Sequence, residues 1–318
     1  MNLQRCEPRP GLRRKESFLA SSARDIRMNK WVYLMALPVL AYYVIFCYGP
    51  MYGAIIAFED FRGGAGIWGS PWVGFKHFIS FFNSPSAWKL ISNTILLSVT
   101  NLAFGFPAPI IFALLINEVR RERYKRVVQT VSYIPHFVSI VVVCGMVTEM
   151  TSTEGLINDV IALFGGTREN LLIKKELFRT IYVTSGIWTN LGWGSIIYLA
   201  ALSNVDVQLY EASIIDGANR FKQLWHITLP SITPTIIVLL ILDIGSLLSI
   251  GWEKVLLLYG PLTYDTADII ATYVYRRGLE MADYSFASAI GLMNSVVNLL
   301  LLYLANRLSR MTTKTSLW

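Results

Sequence analysis

Three histidines, three cysteines and 21 acids are the raw material for chemistry in this 318-residue chain. Their spacing argues against most of it. His77, His136 and His226 stand far apart in the sequence, and none has a partner at the spacing of a catalytic triad or a metal site. Cys6, Cys47 and Cys144 are scattered, two of them inside apolar runs, so they form neither a disulfide framework nor a metal-ligand pattern. The stretch "GAGIWG" (Gly64 to Gly69) is a literal G-x-G-x-x-G. A dinucleotide fingerprint, however, must follow a strand and open a helix. This one follows an apolar run and leads into Ser70-Pro71, so it reads as a loop. No G-x-x-x-x-G-K-[ST] occurs, so the chain is not its own ATPase by that route. The expectation is a non-enzyme with no catalytic residue, metal or cofactor of its own, so that any ATP-driven function would require a partner.

What remains is a set of polar and aromatic groups inside apolar runs: Asn190, Asp243, Asn294 and Asn298, with Trp188, Trp193 and Trp252. Polar groups are expensive in a bilayer and mark either interhelical hydrogen bonds or a translocation path. Asp243 is open between the two. The asparagines taken singly favour the structural reading. Tryptophans there stack on sugar rings or belong to the interfacial aromatic belt, the belt being the stronger reading for Trp252. "WTNLGWG" (Trp188 to Gly194) combines rings, an amide and small residues and is the best candidate for a path-lining stretch.

The elements that would position these groups follow from composition. Hydrophobic residues make up 54% and charged residues 15%, against about 25% charged in a soluble domain, and mean hydropathy is +0.47. The chain lacks the polar surface to cover itself in water, which predicts an all-α integral membrane protein. A hydrocarbon core needs about 20 apolar residues per helix. Six runs qualify: 31–58, 91–116, 127–147, 181–202, 235–252 and 285–304. Pro38 and Gly49-Pro50 interrupt the first, and Pro107 and Pro109 should kink the second. With the N-terminus inside, the segments 1–30, 118–126, 204–231 and 305–318 hold 18 Lys and Arg, against 9 in the segments 59–87, 150–179 and 253–284. The cluster "RRERYKR" (Arg120 to Arg126) is the sharpest cue. Both termini are therefore expected in the cytoplasm. The net charge of +7 is topological on this reading and does not imply nucleic acid. Residues 1–30 read as a basic cytoplasmic segment, not a signal peptide, 31–310 as the transmembrane domain, and 311–318 as a cytoplasmic tail.

One inward segment, 205–231, is too charged to span and too apolar for a simple connection. Asp206 can cap a helix beginning at Val207. Tyr210, Ile214, Ala218 and Phe221 recur at helical spacing. Asp216-Gly217 reads as a turn, since glycine adopts positive φ cheaply. A second short helix follows, which Pro230 and Pro234 are expected to close before the fifth span. Periodicity alone leaves two readings: an amphipathic helix resting on lipid headgroups, or a docking helix laid in a groove of a cytoplasmic partner.

The residues of "EASIIDGANRFKQLWHITLP" (Glu211 to Pro230) carry more than periodicity. They closely resemble the EAA loop of permease subunits of binding-protein-dependent ABC importers: Glu211 and Ala212, then Gly217, then Ile227, Leu229 and Pro230 in register, with Ser213 where that pattern has a third alanine. "GWGSIIYLAALSNVDVQLYEASIIDGANR" and "TYVYRRGLEMADYSFASAIGLMNSVVNLLLLYLANRLSR" resemble the sugar-importer branch, within it the LplB-type polysaccharide and oligosaccharide permeases and the permeases of alginate importers. The resemblance covers roughly residues 30 to 310. It implies a six-span type I importer permease in a bacterial cytoplasmic (inner) membrane. The implied partners are a second, similar permease, two ATP-binding subunits and an extracytoplasmic solute-binding protein that docks on the outward segments and delivers an oligosaccharide or polysaccharide. It further implies that Glu211, Ala212, Ser213, Ile214, Asp216, Gly217, Phe221, Leu229 and Pro230 couple the chain to the ATPase. Glu211 would pair with a base there, Gly217 would make the turn, Ala212 and Ser213 would allow close approach, and Ile214 and Phe221 would fill the ATPase cleft or anchor the loop. The rivals from other classes are an ion-coupled secondary transporter, which would need a coupling-ion site and usually internal repeats, and a membrane scaffold that docks an ATPase without transporting.

Overall fold

Long apolar runs leave the backbone only one way to satisfy its own polar groups in a bilayer, and that is to coil. The computed structural model describes residues 27–313 and 315–317 and is helical almost throughout. Among the described residues the sole β-type pairing is an isolated bridge between Glu59 and Trp72. Most of the basic segment 1–30, as residues 1–26, lies outside the described residues, as do residues 314 and 318 of the tail.

The chain divides into two units, 1–55 and 56–318. In the first, α1 (Lys30–Tyr42) carries Pro38 within it. The helical path continues at Tyr43–Tyr48 with the wider turns of a π-helix. Gly49-Pro50 then sits in a single α-turn rather than ending the run.

In the second unit the principal helices are α2 (Ala87–Gly105), α3 (Pro107–Asn117), α4 (Glu122–Tyr133), α5 (Ile140–Thr151), α6 (Phe178–Ser203), α7 (Val207–Ile215), α8 (Leu229–Gly245), α9 (Trp252–Leu258) and α10 (Tyr284–Thr313). Five stretches are long and apolar enough to cross a membrane: 30–58, 87–117, 140–163, 220–245 and 284–313. The fourth expected span is α6, 26 residues long, which threonines, serines, an asparagine and glycines make less apolar than the other five.

Three expectations need correction. The predicted span 127–147 is not one helix. It breaks at Ile134-Pro135, where proline's missing N–H and fixed φ disrupt α-helical bonding, and restarts at α5, whose cap Ser139 accepts a bond from Val142 N–H. The predicted span 235–252 stops at Gly245, and residues 246–251 form an open turn before α9. Pro230 and Pro234 do not close the second short helix of 205–231. Pro230 lies in the first turn of α8, where no N–H is needed, and Pro234 is carried inside it, so the chain runs through a π-turn (Leu224–Thr228) into the span. Around Pro107 the helix is interrupted by one residue: α2 ends at Gly105 and α3 begins at Pro107, with Phe106 between them at φ −68 and ψ −45, still in the α-helical region.

Three clusters of buried side chains hold this unit. One joins Leu97, Val143, Phe178, Tyr182, Val255 and Ile269. A second joins Phe81, Leu90, Phe286 and Ile290. The third, at the end from which 205–231 departs, joins Ile110, Ala113, Tyr198, Leu202 and Ile232. α6 runs through the first and the third, with the polar middle of the unit between them.

Candidate functional site

Local chemistry builds the 205–231 segment much as its residues require. Asp206 accepts from Gln208 N–H at 2.9 Å and starts α7. Gly217 stands at φ +75, a conformation that costs a side-chain-bearing residue free energy. Asn219 then accepts from Lys222 N–H at 2.9 Å and starts the short helix Arg220–Gln223. Ser213 does more than keep its position small. Its hydroxyl donates to Tyr210 C=O at 2.7 Å and accepts from Gln223 Nε2 at 2.9 Å, bracing one short helix against the other. Tyr210 and Thr228 share a 2.9 Å hydrogen bond that ties α7 to the root of α8. Arg220 pairs with Glu118 at 3.0 Å, which anchors the segment to the end of α3. Sequence reading missed that pair because its partners are 102 positions apart.

The expected coupling residues divide into braces and free surface. Glu211, Ala212, Ile214, Asp216, Gly217 and Phe221 are exposed, Ser213 and Leu229 are half-buried, and Pro230 is exposed. Ile214, Ile215, Phe221 and Trp225 are large apolar side chains left uncovered, Ile215 at 87%. Phe221 and Trp225 meet edge-on at 6.3 Å. Among the described residues Glu211 takes part in no ion pair.

The second feature is a cavity of about 570 Å³ along α6, between the first and third buried clusters. Of the six path candidates, Asn190 and Asp243 line it, while Trp188, Trp193, Asn294 and Asn298 do not. Trp193 instead stacks on the His136 ring at 4.6 Å, nearly parallel, and His136 Nδ1 and Asn190 Oδ1 lie 3.3 Å apart. His136, isolated in sequence, thus has two partners, supplied by the break at Pro135. Asn294 and Asn298 reach from α10 to the break in the fifth span. Asn298 Oδ1 accepts from Leu248 N–H at 3.1 Å and its Nδ2 donates to Ser249 Oγ at 2.8 Å. Asn294 Nδ2 donates to Leu248 C=O at 3.3 Å. A broken helix at membrane depth exposes backbone groups that must be satisfied internally, and these two amides do so. Trp252 stacks on Tyr275 at 5.1 Å at the start of α9.

At the opposite end from 205–231, residues 265–276 are fastened down. Asn93 Nδ2 donates to Asp265 C=O at 3.1 Å and Asp268 C=O at 3.0 Å, and Arg179 donates to Asn93 Oδ1 at 3.0 Å. Thr94 Oγ1 accepts from Ile270 N–H at 3.0 Å. Arg276 grips Asp268 with both guanidinium nitrogens, at 2.9 and 2.6 Å, and donates to Tyr259 Oη at 2.9 Å. The Asp268 hydrogen bond raises the Arg276 pKa above its ordinary value, against the opposing effect of burial. Lys89, hydrogen-bonded to Asp265, holds that carboxyl below the usual carboxylate range.

The all-helical unit, with its broken fifth span, polar cavity and uncovered capped turn, has the type I importer permease fold, as its likeness to known proteins shows. The pattern of the family described as "Binding-protein-dependent transport system inner membrane component" matches residues 105–313, and the chain belongs to that family. It is similar to the polygalacturonan/rhamnogalacturonan transport system permease protein YteP of Bacillus subtilis, 48% identical over 89% of this chain and 88% of that one. It is also similar to protein LplB of the same organism, 46% identical over 92% of each. Among solved structures it is similar to a chain of a bacterial ABC transporter involved in the import of the acidic polysaccharide alginate. The TM-score there is 0.85 at 43% identity, covering 92% of this chain and 99% of that one. The same likeness holds to a chain of a bacterial alginate ABC transporter in complex with alginate pentasaccharide-bound periplasmic protein.

Proposed function

We propose that this chain is the permease subunit of an ATP-driven importer that moves an oligosaccharide or polysaccharide, including alginate-like chains, across a bacterial cytoplasmic membrane. The transmembrane domain 31–310 does the moving, and both termini face the cytoplasm. The observation that carries the reading is the uncovered turn at 211–221: Ile214, Ile215 and Phe221 exposed around Gly217, with Glu211 unpaired among the described residues. Such a surface fits a groove on a cytoplasmic partner better than it fits water. A lipid surface would also cover apolar side chains, but it would not explain two capped helices braced through Ser213. ATP and Mg reside on two ATP-binding subunits. Their closure moves two such segments, this one and its counterpart on a second, similar permease. Nucleotide favours one arrangement of the ATPase pair, and that preference shifts the permease equilibrium between inward- and outward-facing states. An extracytoplasmic solute-binding protein docks on the opposite end, built on the fastened 265–276 segment, and releases the sugar toward the cavity along α6. The substrate class is supported by the transport systems named for YteP and for the alginate transporter.

The test is ATP hydrolysis by the four-part complex in proteoliposomes, with and without sugar-loaded binding protein, for wild type and Gly217→Pro. Proline cannot take the positive φ that residue 217 requires. Stimulation in wild type that disappears in the variant supports the reading. A chain that never binds an ATPase, with flux that follows an ion gradient, replaces it with a secondary transporter.

A further inference from the structure

Among the described residues Lys254 is the one base lining the α6 cavity, and it is only 7% exposed. Its Nζ donates to Tyr182 C=O at 2.7 Å and lies 4.5 Å from the centre of the Tyr182 ring. An ammonium has three donors, and the Tyr182 carbonyl uses one. Among the described residues no ion pair involves Lys254. A buried charge without a counter-charge is costly, and a cation–π contact offsets only part of that. The cavity supplies a second unfinished group nearby. Ser98 is 2% exposed, lines the same cavity, and its Oγ has no hydrogen-bond partner. The neighbours of Ser98 and Lys254 in sequence, Leu97 and Val255, belong to one buried cluster. Asn101 lies one turn along α2 from Ser98, on the same face. Gly186 of α6 keeps the space between them open: a Cβ there would stand 3.2 Å from Lys254 Nζ and 3.8 Å from Asn101 Oδ1.

We infer that Lys254, Ser98 and Asn101 form a carboxylate-binding subsite on the translocation path, so that the transported chain is a uronate-containing oligosaccharide whose acid group is neutralised at Lys254 as it passes. This rests on the importer reading above and adds to it a charge-reading position within the membrane protein itself. The carboxylate takes the spare ammonium donors and the orphaned Ser98 hydroxyl, and the Asn101 amide donates to it. Neither of the two acids that line the cavity forms an ion pair with Lys254 among the described residues. Glu253 is exposed and neighbours Lys254 on α9, about 100° around the helix from it. Asp243 lies one turn beyond Leu239, which packs against the third cluster, at the other end. Both are acceptors for sugar hydroxyls. Tyr182 and Tyr198, which bracket the lining stretch of α6, are 16 residues apart, roughly 24 Å along a helix, so the cavity has the length for several linked sugars.

The experiment uses the complete complex in proteoliposomes with its binding protein. Uptake is measured for galacturonate and alginate tetramers, each as the free acid and as the methyl ester, in wild type, Lys254→Met, Lys254→Arg and Ser98→Ala. Because every variant receives sugar from the same binding protein, the acid-to-ester uptake ratio isolates what this chain contributes. The expected result is a ratio at least tenfold lower in Lys254→Met, held within about twofold by Lys254→Arg, and lowered several-fold by Ser98→Ala. An unchanged ratio in Lys254→Met overturns the proposal. So does an equal fall for acid and ester, which would make Lys254 a brace for Tyr182, and so does a wild type that imports neutral oligosaccharides but neither acid. If loaded binding protein never stimulates ATP hydrolysis in wild type, the importer reading itself has failed, which is a different result.

Discussion

Asp268 and Arg276, at one end of the molecule, keep 14% and 20% of their side chains exposed, whereas Glu118 and Arg220, at the other, keep 55% and 58%. The first pair is bidentate and roofed by Tyr259, Tyr264 and Tyr273. The second is a single contact in solvent. The contrast extends to the segments that carry them. Residues 265–276 are pinned to α2 by Asn93 and Thr94, and their apolar members Ala267, Ile269 and Ile270 are buried. Residues 205–231 hold their own shape through caps and Ser213, yet leave Ile214, Ile215 and Phe221 outside. One end is completed by the chain itself. The other leaves an apolar face uncovered, which on the function proposed above a cytoplasmic partner covers.

This contrast can be broken by mutation, and the effects should fall in a definite order. Arg276→Met leaves the Asp268 carboxylate without its cation in a mostly buried site and should cost about 3 kcal/mol, read as a large drop in the melting temperature of the purified chain in detergent. A change too small to measure would mean that the fastened end is no better fastened than the other. Asn298→Leu removes the groups that satisfy Leu248 and Ser249 in the broken span and should cost roughly 1–3 kcal/mol. Amide exchange confined to 246–251 should rise with it, and exchange unchanged there would deny that the asparagine holds the break. Arg220→Ala should cost less than about 1 kcal/mol, since an exposed pair is weak and screened, and high salt should erase the difference. Ile215→Asp and Phe221→Ala should change stability by no more than about 0.5 kcal/mol, yet abolish co-purification of the ATPase. If either variant melts early and still holds the ATPase, the uncovered face belongs to this chain's own packing and the comparison fails.

Much of this was legible in the residues. Asp206 at a cap and Gly217 in a turn are local events within a few positions, and local chemistry predicts them; the run through Pro230 into α8 is not among them. The end of the fifth span was not legible, because "GSLLSIGWEK" (Gly245 to Lys254) is as apolar as a helix would be. The groups that satisfy the open turn are a pair of amides on α10, some 50 positions away. The same limit applies to the path candidates. Hydropathy marks a polar residue at membrane depth but not the direction in which it points, so Asn190 and Asp243 reach the cavity while Asn294 and Asn298 turn to the backbone of a neighbour. Lys254 escaped notice because its charge lies just outside an apolar run, where lysines are ordinary.

Composition and periodicity by themselves determined that this is a helical membrane protein with a capped turn between its fourth and fifth apolar runs, because bilayer thickness, helix geometry and capping act on residues adjacent in sequence. Which helices break, which polar groups serve the backbone and which face the cavity were decided only in the tertiary structure, because those depend on unsatisfied groups finding partners that the chain brings together from far apart.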